Sequence, residues 1–351
     1  MEFYILNQDL EILAVIDQYK SAIWTRRYYE AGDFELYAPA TDALLEILQE
    51  GRIVARAEDT TQAGIIERLQ ITTDAENGNY ITASGYTLQG LLNRRIVWKQ
   101  TTLTGNPEKI IRRLVTENMI DTEEEKRKIP NLFLGEEIGV EGSMRIQYTG
   151  DNIQTAVQDI CKEYKIGYNI ALDLPNKAFV FSIYRGTDRT FGQNENPFVV
   201  FSQDFENLLT SDYAADATAA ANVAQVAGEG EGTERVKVTV SNTNLGGIHR
   251  REIFVDAKDQ SSNDGNLTAI TYHAMLAQKG ADALEEAKPI EEIDGEVEAT
   301  IQYKLGRDFF LGDLVEILDQ YGHERRPRVT EIIESHDDTG ESIIPTFAQD
   351  N

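Results

Sequence analysis

The sequence predicts an α+β protein that is rich in β-strands, with two barrel-like β domains at the chain ends and an α/β module between them. Short apolar segments separated by turn residues occupy both ends of the chain, and helical spacing interrupts them in the middle. The two ends also share a pattern of glycines and strands. We therefore expect domains at residues 1–98, 99–196 and 197–351, the last of which carries a long helix at about 267–288.

The first domain is predicted from apolar and aromatic runs that alternate with turn signals, a pattern typical of short strands. Asn77-Gly78 predicts a hairpin, because both residue types adopt the left-handed conformations of the tightest turns. A short helix is expected at 42–49, with Thr41 as its N-cap and Gly51 closing it. The predicted strands are 3–6, 10–16, 24–29, 34–37, 52–56, 65–72 and 79–84.

The middle domain is predicted from helical periodicity. Asn106-Pro107 marks a helix start, since proline fits the first helical position, where no backbone donor is needed. A second helix is expected from about residue 151, because its apolar residues, Cys161 among them, recur at intervals of three and one before Gly167 ends it. The remaining predicted elements are strands at 168–172 and 178–184 and a polar boundary segment at 185–197.

The third domain combines strands with one long helix. The helix is predicted at 267–288, because apolar residues recur there at intervals of three and four and Pro289 prevents its continuation. This apolar stripe consists of Leu267, Ile270, Ala274, Ala277, Ala281 and Leu284. The predicted strands are 198–201, 221–227, 235–240, 295–303, 314–318, 328–335 and 342–347.

A weak internal repeat, which we call the echo, relates the two ends of the chain. Gly51 and the turn glycine Gly78 are 27 positions apart, Gly312 and Gly340 are 28 apart, and each stretch holds a strand followed by a hairpin. Any two three-stranded meanders would match this well, and a duplicated unit is the other interpretation. Two similar domains per chain would let three chains form a ring of approximate sixfold symmetry.

The composition is ordinary for a globular protein except for its charge. The 351 residues are 41% hydrophobic and 26% charged, but 60 Asp and Glu against 33 Lys and Arg give a net charge of −27. A chain this acidic repels phosphate backbones and anionic membrane surfaces, which disfavours DNA-binding and peripheral-membrane proteins. The N-terminal residues do not resemble a signal peptide, and no run approaches the ~20 apolar residues of a membrane-spanning helix.

No constellation of residues predicts catalysis, a cofactor or a metal site. The four histidines show no metal-ligand spacing, and no Gly-x-Ser-x-Gly sequence is present. Cys161 is expected to be buried as a small hydrophobic residue, and as the only cysteine it cannot form an intrachain disulfide. A loop cation at Asp256, Asp259 and Asp264 is a weak alternative. We therefore expect a protein that is not an enzyme and uses no cofactor.

Basic residues occur in adjacent pairs within this acidic chain. Such pairs are candidates for contacts with the acidic surface of a neighbouring copy, where they would set register and association rate more than affinity. Salt bridges within the chain are the alternative interpretation. The candidate inter-subunit residues are Arg26, Arg27, Arg94, Arg95, Arg250, Arg251, Arg325 and Arg326.

An ordered set of segments resembles the tail hub proteins of siphophages, which have long non-contractile tails, and of prophages of Gram-positive hosts. The segments spread over nearly the whole chain, and none of them is diagnostic alone. They are 12–17, 23–29 (IWTRRYY), 32–36 (GDFEL), 92–98 (LNRRIVW), 148–152 (YTGDN), 196–202 (NPFVVFS), 226–232 (VAGEGEG) and 306–315.

The resemblance implies a tail-hub-like fold and a structural role. The implied protein is a baseplate or tail-tip hub, a homotrimer whose ring continues the tail tube and passes DNA during genome ejection. It would be a virion protein assembled in the host cytoplasm, and its partners would be tail-tube, distal tail, tape-measure and receptor-binding proteins. The charge of −27 would then give an acidic lumen that does not retain DNA. Because the sequence ends just after its last predicted strand, we expect receptor-binding or wall-degrading modules to be separate proteins.

Two other functions stay open. A receptor- or glycan-binding adhesin of a phage tail would use Trp24, Tyr28, Tyr29 and Trp98 to stack on sugars, although aromatic residues in strand-like runs usually belong to the core. A cell-wall hydrolase is the least supported function, because the sequence offers no nucleophile or metal set for it.

Overall fold

The computed structural model is rich in β-strands, as predicted, and describes residues 1–74, 78–202, 204–207, 210–262, 267–296, 303–318 and 324–349. The helices are α1 Asp42–Ile47, α2 Pro107–Val115, α3 Ile153–Tyr164 and α4 Ala269–Glu286. The strands are β1 Phe3–Leu6, β2 Ile12–Ile16, β3 Ser21–Arg27, β4 Asp33–Pro39, β5 Ile53–Arg56, β6 Ala63–Ile65, β7 Arg68–Asp74, β8 Gly78–Tyr86, β9 Thr101–Gly105, β10 Leu132–Leu134, β11 Met144–Tyr148, β12 Gly167–Asp173, β13 Ala178–Tyr184, β14 Val200–Ser202, β15 Thr210–Asp216, β16 Val223–Ala227, β17 Lys237–Ser241, β18 Glu252–Asp256, β19 Ile290–Glu296, β20 Glu316–Leu318, β21 Glu324–Arg325, β22 Pro327–Asp337 and β23 Gly340–Gln349.

Eight strands form one large antiparallel sheet, which we call the main sheet. Its order is β15-β19-β23-β22-β3-β4-β8-β7, so strands from both ends of the chain lie side by side. The smaller sheets are β2-β1-β5-β6, β10-β13-β12, β11-β9, β14-β20-β21 and β17-β16-β18. None of these described sheets closes into a barrel. Within the same described ranges, no helix has the length and apolar character needed to cross a membrane.

The main sheet consists of two four-stranded units in tandem. The order β15-β19-β23-β22 repeats the order β3-β4-β8-β7, with β22 of one unit joined to β3 of the other. Gly51 donates to the Ile66 carbonyl and Gly312 to the Val329 carbonyl, each at 2.8 Å, and each acceptor residue donates back to the residue after the glycine. Both glycines have positive φ, 80° and 94° respectively. The echo in the sequence is therefore a structural duplication.

Each unit of the main sheet packs against one of the smaller sheets. Trp24, Phe34 and Ile81 share a core with Ile5 of β1 and Val54 of β5. In the second unit, the equivalent core joins strands β22 and β23 to β14 and β20. A third core runs from β1, β5 and β6 into α2, α3 and β12, so the α/β module packs on the first unit across residue 98. The domain division at residues 98 and 196 stays a prediction.

The local signals at the helix starts are confirmed. The side chain of Thr41 accepts from the Leu44 N–H at 3.3 Å, as expected for an N-cap. Asn106 caps α2, with Pro107 in the first turn, and α3 begins at Ile153, near the predicted start, with a cap at Asn152 that was not predicted. The end of α3 differs from expectation, because Lys165, rather than Gly167, adopts the left-handed conformation that terminates the helix.

Several strands differ from the predicted ones. The segment 65–72 is divided between β6 and β7, because the Ile66 N–H turns away to the Arg52 carbonyl. Strands β9, β10, β11, β15, β18 and β21 were not predicted. The segments of β15 and β18 show no clear alternation of apolar and polar residues. The segment 295–303 falls mostly outside the described residues, and β19 ends at Glu296. Asn77 of the predicted hairpin also lies outside, although β7 and β8 pair up to Asp74 and Gly78.

The apolar stripe predicted for the long helix is wrong at three of its six residues, while Leu284 is buried and Leu267 and Ala277 are half-buried. Ile270 is 85% exposed, and Ala274 and Ala281 are exposed as well. The buried face consists of Tyr272, Met275, Leu276, Gly280 and Leu284. An alanine-rich helix has little contrast between its faces, so the sheet that it covers decides which one is buried. Gly280 fits because a Cβ there would lie 2.6 Å from Val226 of that sheet.

The contact between α3 and α4 carries partly buried acids. Gln278 donates to Glu163 of α3 at 3.3 Å and to Asp282 at 2.9 Å. Burial, together with the charge of Glu163, raises the pKa of Asp282 to about 6 from an ordinary 3.8. Burial, followed by the charges of Glu286 and Asp282, raises the pKa of Asp159 to about 6 as well. The folded protein therefore retains protons here that the unfolded chain releases.

We expect Asp282→Asn to stabilise the protein at about pH 7.5 but not at about pH 4. The penalty for ionising Asp282 in the folded state is absent below the unfolded pKa of 3.8 and becomes complete above the folded pKa of about 6. Asparagine retains the acceptor for Gln278 but cannot ionise. The free energy of unfolding at the higher pH should rise on the order of 1 kcal/mol.

Denaturant unfolding at the two pH values measures this effect. The matched control is Asp17→Asn, which makes the same substitution at an exposed position outside the contact between α3 and α4. An equal effect of Asp282→Asn at both pH values would contradict the prediction.

Candidate assembly interface

The junction between the two units of the main sheet, which we call the seam, is the pairing of β3 with β22. The strands run antiparallel from Arg27 opposite Glu331 to Ser21 opposite Asp337. β3 alternates, with Ala22 and Trp24 buried on the core side. The seam therefore uses an ordinary sheet ladder to connect the beginning of the chain to its end.

Ion pairs fix the register of the seam. Arg27 Nε lies 2.5 Å from a carboxylate oxygen of Glu331, and its Nη1 lies 2.6 Å from Asp33. Glu334 Oε2 accepts from Arg56 Nη1 at 2.8 Å and lies 3.0 Å from Arg26 Nη2. The Arg56 and Glu334 side chains are only 9% and 11% exposed, so this contact is largely withdrawn from water. Burial alone would lower the pKa of Arg56, but Glu334 outweighs it and raises that pKa.

Tyr28 lies just beyond the seam, where the two units meet the α/β module. Its N–H donates to the Thr330 carbonyl at 2.9 Å, and its side chain is fully buried. The hydroxyl donates to the Lys165 carbonyl and accepts from the Gly186 N–H, each at 3.1 Å. The Arg328 guanidinium lies 5.4 Å from the ring centroid. One side chain thus contacts all three parts of the protein.

The predicted boundary segment 185–197 is bound firmly to the second unit. Asp313 accepts from the Thr187 N–H at 2.7 Å and from Arg189 Nε at 2.6 Å. Glu316, which is fully buried, accepts from the Phe191 N–H at 2.9 Å. These carboxylates replace the backbone partners that an extended segment would find in a sheet. The segment therefore connects the module to the second unit through specific contacts.

The main sheet ends in two edge strands, β7 and β15, which we call the open edges. In the described part of the chain, neither pairs with a further strand on its outer side. Ile71 on β7 is 59% exposed and Tyr213 on β15 is 48% exposed. An edge strand presents unpaired backbone donors and acceptors, which can pair with another chain. The open edges are therefore the places where a further strand can pair with the main sheet.

All eight arginines proposed as inter-subunit contacts have partners within the chain. Arg26 and Arg27 form the seam, and Arg325 lies over the Tyr213 ring at 5.4 Å. The other contacts are Arg94 with Glu67 at 2.5 Å, Arg95 with the Arg127 carbonyl at 2.8 Å, Arg250 with Glu252 at 2.5 Å, Arg251 with the Ala217 carbonyl, and Arg326 with Glu316 at 3.2 Å. Contacts of these residues between copies stay a prediction.

The other residues singled out in the sequence do not form a site together. Trp24 and Tyr28 are buried in the core, while Trp98 is 55% exposed with Arg127 stacked over its ring at 4.8 Å. Cys161 is buried as expected, and burial raises the pKa of its thiol. Within the described ranges, no three His, Cys, Asp or Glu side chains are grouped so as to hold a metal ion. Asp264 of the proposed loop cation site lies outside those ranges.

Sequence reasoning missed the acids of the seam and its third arginine. Glu334 lies two positions after Ile332 in the predicted strand 328–335 and therefore on the same face, and an acid on the buried face of a strand could have indicated an ion pair. Arg56 ends the predicted strand 52–56, but no local signal shows that it reaches a residue 278 positions away.

Comparison with known protein families shows one match across nearly the whole chain. The model of the family described as Siphovirus ReqiPepy6 Gp37-like protein matches residues 2–347. No curated protein matches the sequence significantly.

Solved structures of similar fold include three bacterial prophage or tail proteins. The 43 kDa tail protein of prophage MuSo2 from Shewanella oneidensis has a TM-score of 0.62 and 14% identity, covering 99% of this chain and 98% of that one. The tail protein from Neisseria meningitidis MC58 has a TM-score of 0.61 and 14% identity, covering 99% and 96%. Prophage tail protein gp18 from Listeria monocytogenes EGD-e has a TM-score of 0.55 and 11% identity, covering 100% and 95%. At such identities the similarity shows a shared fold.

We expect Glu334→Gln to lower the free energy of unfolding by roughly 2–4 kcal/mol, because two arginines lose their shared counter-charge in a site that water reaches poorly. Glu341→Gln is the matched control, since that carboxylate is 68% exposed and lies 3.8 Å from the N-terminal amine. The control should cost less than about 1 kcal/mol. Denaturant unfolding measures both, and equal losses would show that the seam does not depend on this ion pair.

Proposed function

Because the chain belongs to the family of Siphovirus ReqiPepy6 Gp37-like proteins, we propose that it is a structural hub of a phage tail, with a role in assembly rather than catalysis. Family membership confirms the predicted resemblance to siphophage and prophage tail proteins, and a phage tail protein is a component of the virion. In the proposal, three copies form a ring of approximate sixfold symmetry at the tail tip or baseplate. The ring continues the tail tube, and DNA passes through it.

The observation that carries this proposal is the tandem repeat within the main sheet. The two units have the same strand order and are joined at one seam, and both ends of the sheet are open in the described part of the chain. A protein that repeats one unit side by side can add further units by the same kind of contact. When the rotation between neighbours closes, such a heterologous contact produces a ring.

Because each chain contains two similar units, a trimer contains six, which is the number that a ring of approximate sixfold symmetry requires. The first unit packs against sheet β2-β1-β5-β6, and the second packs against β14-β20-β21. In the proposed hub, each unit and the smaller sheet that packs against it form one barrel-like domain, so that one such domain lies at each end of the chain. It also keeps the α/β module at 99–196 as a peripheral domain.

A second peripheral element interrupts only one of the units. Residues 28–32 join β3 to β4, whereas the equivalent strands β15 and β19 are joined by residues 217–289, which hold α4 and sheet β17-β16-β18. Material inserted at a strand connection leaves the sheet itself unchanged. In the proposed ring, this insertion decorates the outside and offers a surface to neighbouring tail proteins.

The face of the main sheet turned away from the core supports an acidic lumen. Glu35 and Asp337 are exposed on this face, whose other residues include the hydroxyls of Thr82 and Ser84. Of the cations on this face, Arg27 is already paired with Asp33 and Glu331, while Arg68 lies at the edge of the sheet, opposite Ser84. Negative charge would repel DNA phosphates, so the genome would not be retained in transit. A net positive lumen potential in a trimer structure would contradict this part of the proposal.

The proposed partners follow from the position of a hub in the tail. They are a second and third copy of the chain, tail-tube and distal tail proteins, a tape-measure protein and receptor-binding proteins, with DNA only in transit. Assembly would take place in the host cytoplasm. A Gram-positive host remains a prediction.

A receptor- or glycan-binding adhesin is the second candidate, and only the exposed ring of Trp98 favours it. Sugar stacking needs a free aromatic face. One face of Trp98 is covered by Arg127, and Trp24 and Tyr28 are buried. Binding of the isolated chain to a glycan array would favour the adhesin over the hub.

We expect the full chain to form a trimer with a central hole. Native mass spectrometry gives the copy number, and negative-stain electron microscopy gives the hole, first at high protein concentration and then with the tail-tube protein of the same phage. Closed rotational symmetry should give one discrete species rather than open filaments. A strictly monomeric mass at high concentration, with no ring beside the tail-tube protein, would contradict the proposal.

A further inference from the structure

We infer that the two open edges bind each other between copies, β7 of one copy antiparallel to β15 of the next, in one defined register. The inference rests on the proposed ring and specifies the contact that closes it. The partner of each open edge is a second copy of this chain. The register follows from the seam, because the strands of the two units correspond residue by residue.

The residues of one unit can be matched to those of the other by comparing equivalent pairs of neighbouring strands in turn. Once two strands are matched, their hydrogen-bonded partners determine how the next strand in each unit is matched. Between β7–β8 and β22–β23, the pair Arg68↔Ser84 corresponds to Glu331↔Thr346. Between β4–β8 and β19–β23, the pair Asp33↔Tyr86 then corresponds to Glu292↔Ala348. Between β3–β4 and β15–β19, the pair Thr25↔Asp33 finally corresponds to Ala214↔Glu292. With these steps, the seven residues Ser21–Arg27 of β3 coincide with the seven residues Thr210–Asp216 of β15, without an overhang at either end.

The seam can then be transferred to the open edges. Glu331 of β22 corresponds to Arg68 of β7, and its partner Arg27 corresponds to Asp216 of β15. The resulting register is Arg68↔Asp216, Leu69↔Ala215, Gln70↔Ala214, Ile71↔Tyr213, Thr72↔Asp212, Thr73↔Ser211 and Asp74↔Thr210. Every backbone pair of the seam has a counterpart between copies.

The first pair of this register is an ion pair with reversed polarity. In the seam, β22 supplies the acid Glu331 and β3 supplies the base Arg27, 2.5 Å apart. At the open edges, β7 supplies the base Arg68 and β15 supplies the acid Asp216, and both side chains are exposed. Among the described residues, Arg68 donates to Gln70 at 3.1 Å, Asp216 accepts from the Thr218 N–H at 2.7 Å, and neither forms an ion pair. Opposite charges therefore meet at the same ladder position in both contacts.

The reversed polarity prevents the two contacts from being exchanged. If β7 of a neighbour displaced β22 from the seam, Arg68 would face Arg27. If β22 added to β15, Glu331 would face Asp216. Like charges directly opposite each other destabilise a strand pair, so each strand is directed to its proper partner. The seam stays within the chain, and the open edges pair only between copies.

The same register covers the apolar residues of the open edges. Ile71, 59% exposed, lies directly opposite Tyr213, 48% exposed. Contact between an aromatic and a β-branched side chain across a ladder stabilises strand pairing. At the equivalent place in the seam, Trp24 lies opposite Glu334. Neither β7 nor β15 contains the lysine or proline that often protects an edge strand from pairing.

Charge exchange and disulfide trapping test the register in the full chain. Arg68→Asp and Asp216→Arg should each raise the concentration at which the trimer half-dissociates by about tenfold, because repulsion replaces attraction at three contacts per ring. The double variant should recover the wild-type value to within about threefold. Thermal unfolding of the monomeric fraction should be unchanged, since both side chains are exposed.

Gln70→Cys with Ala214→Cys places two thiols at one register position on exposed side chains. Mild oxidation should convert this variant to covalent dimers and trimers on a non-reducing gel. Each single variant is a control, and Gln70→Cys with Asp216→Cys controls for a register shifted by two residues. Cys161 is buried and does not compete.

The outcomes separate this inference from the proposed function. Rescue by the double charge variant, with cross-linking only at positions 70 and 214, supports the inference. A wild-type ring without that rescue and without that cross-link overturns the register, while the hub function stands. A wild-type chain that never forms a ring, even with the tail-tube protein, overturns both.

Discussion

The antiparallel pairing of β3 with β22 is the interaction on which the rest of the architecture depends. It joins Arg27 to Glu331, 304 positions away, so the entire chain between them must fold with its ends side by side. Closing so long a loop costs conformational entropy, and the contacts across the seam contribute to offsetting it. The buried contact of Glu334 with Arg26 and Arg56 supplies both energy and register at this place. Without it, the two units would be separate sheets with four edges instead of two.

Tyr28 extends this constraint from the sheet to the α/β module. Its ring fills the space beside Gly167 and Gly312, where an added Cβ would lie 2.5 Å and 2.3 Å away. Gly312 also has a φ of 94°, a conformation that other residues rarely adopt. The module, the seam and the second unit therefore share a single packed contact. Because the segment after residue 184 is bound to Asp313 and Glu316, the module is held at both of its ends.

The carboxylates that give the chain its large negative charge lie in three different environments. In the seam, carboxylates are paired with arginines and stabilise the fold. Between α3 and α4, Asp159 and Asp282 lack such partners in the described structure, and burial shifts their pKa upward. On the outer face of the main sheet, acids such as Glu35 remain exposed to solvent. Net charge alone distinguishes none of these environments, because each depends on what lies opposite the carboxylate.

The sequence by itself determined the features that depend on neighbours within a few residues. The cap at Thr41, the helix start at Asn106-Pro107, most strands of the first hundred residues and the glycine repeat were visible in it, because turns and caps are local. Only the tertiary structure decided which strand pairs with β3, which face of α4 is buried, and that Arg26 and Arg27 face acids of their own chain. These features depend on groups hundreds of residues away, for which a single sequence carries no local signal.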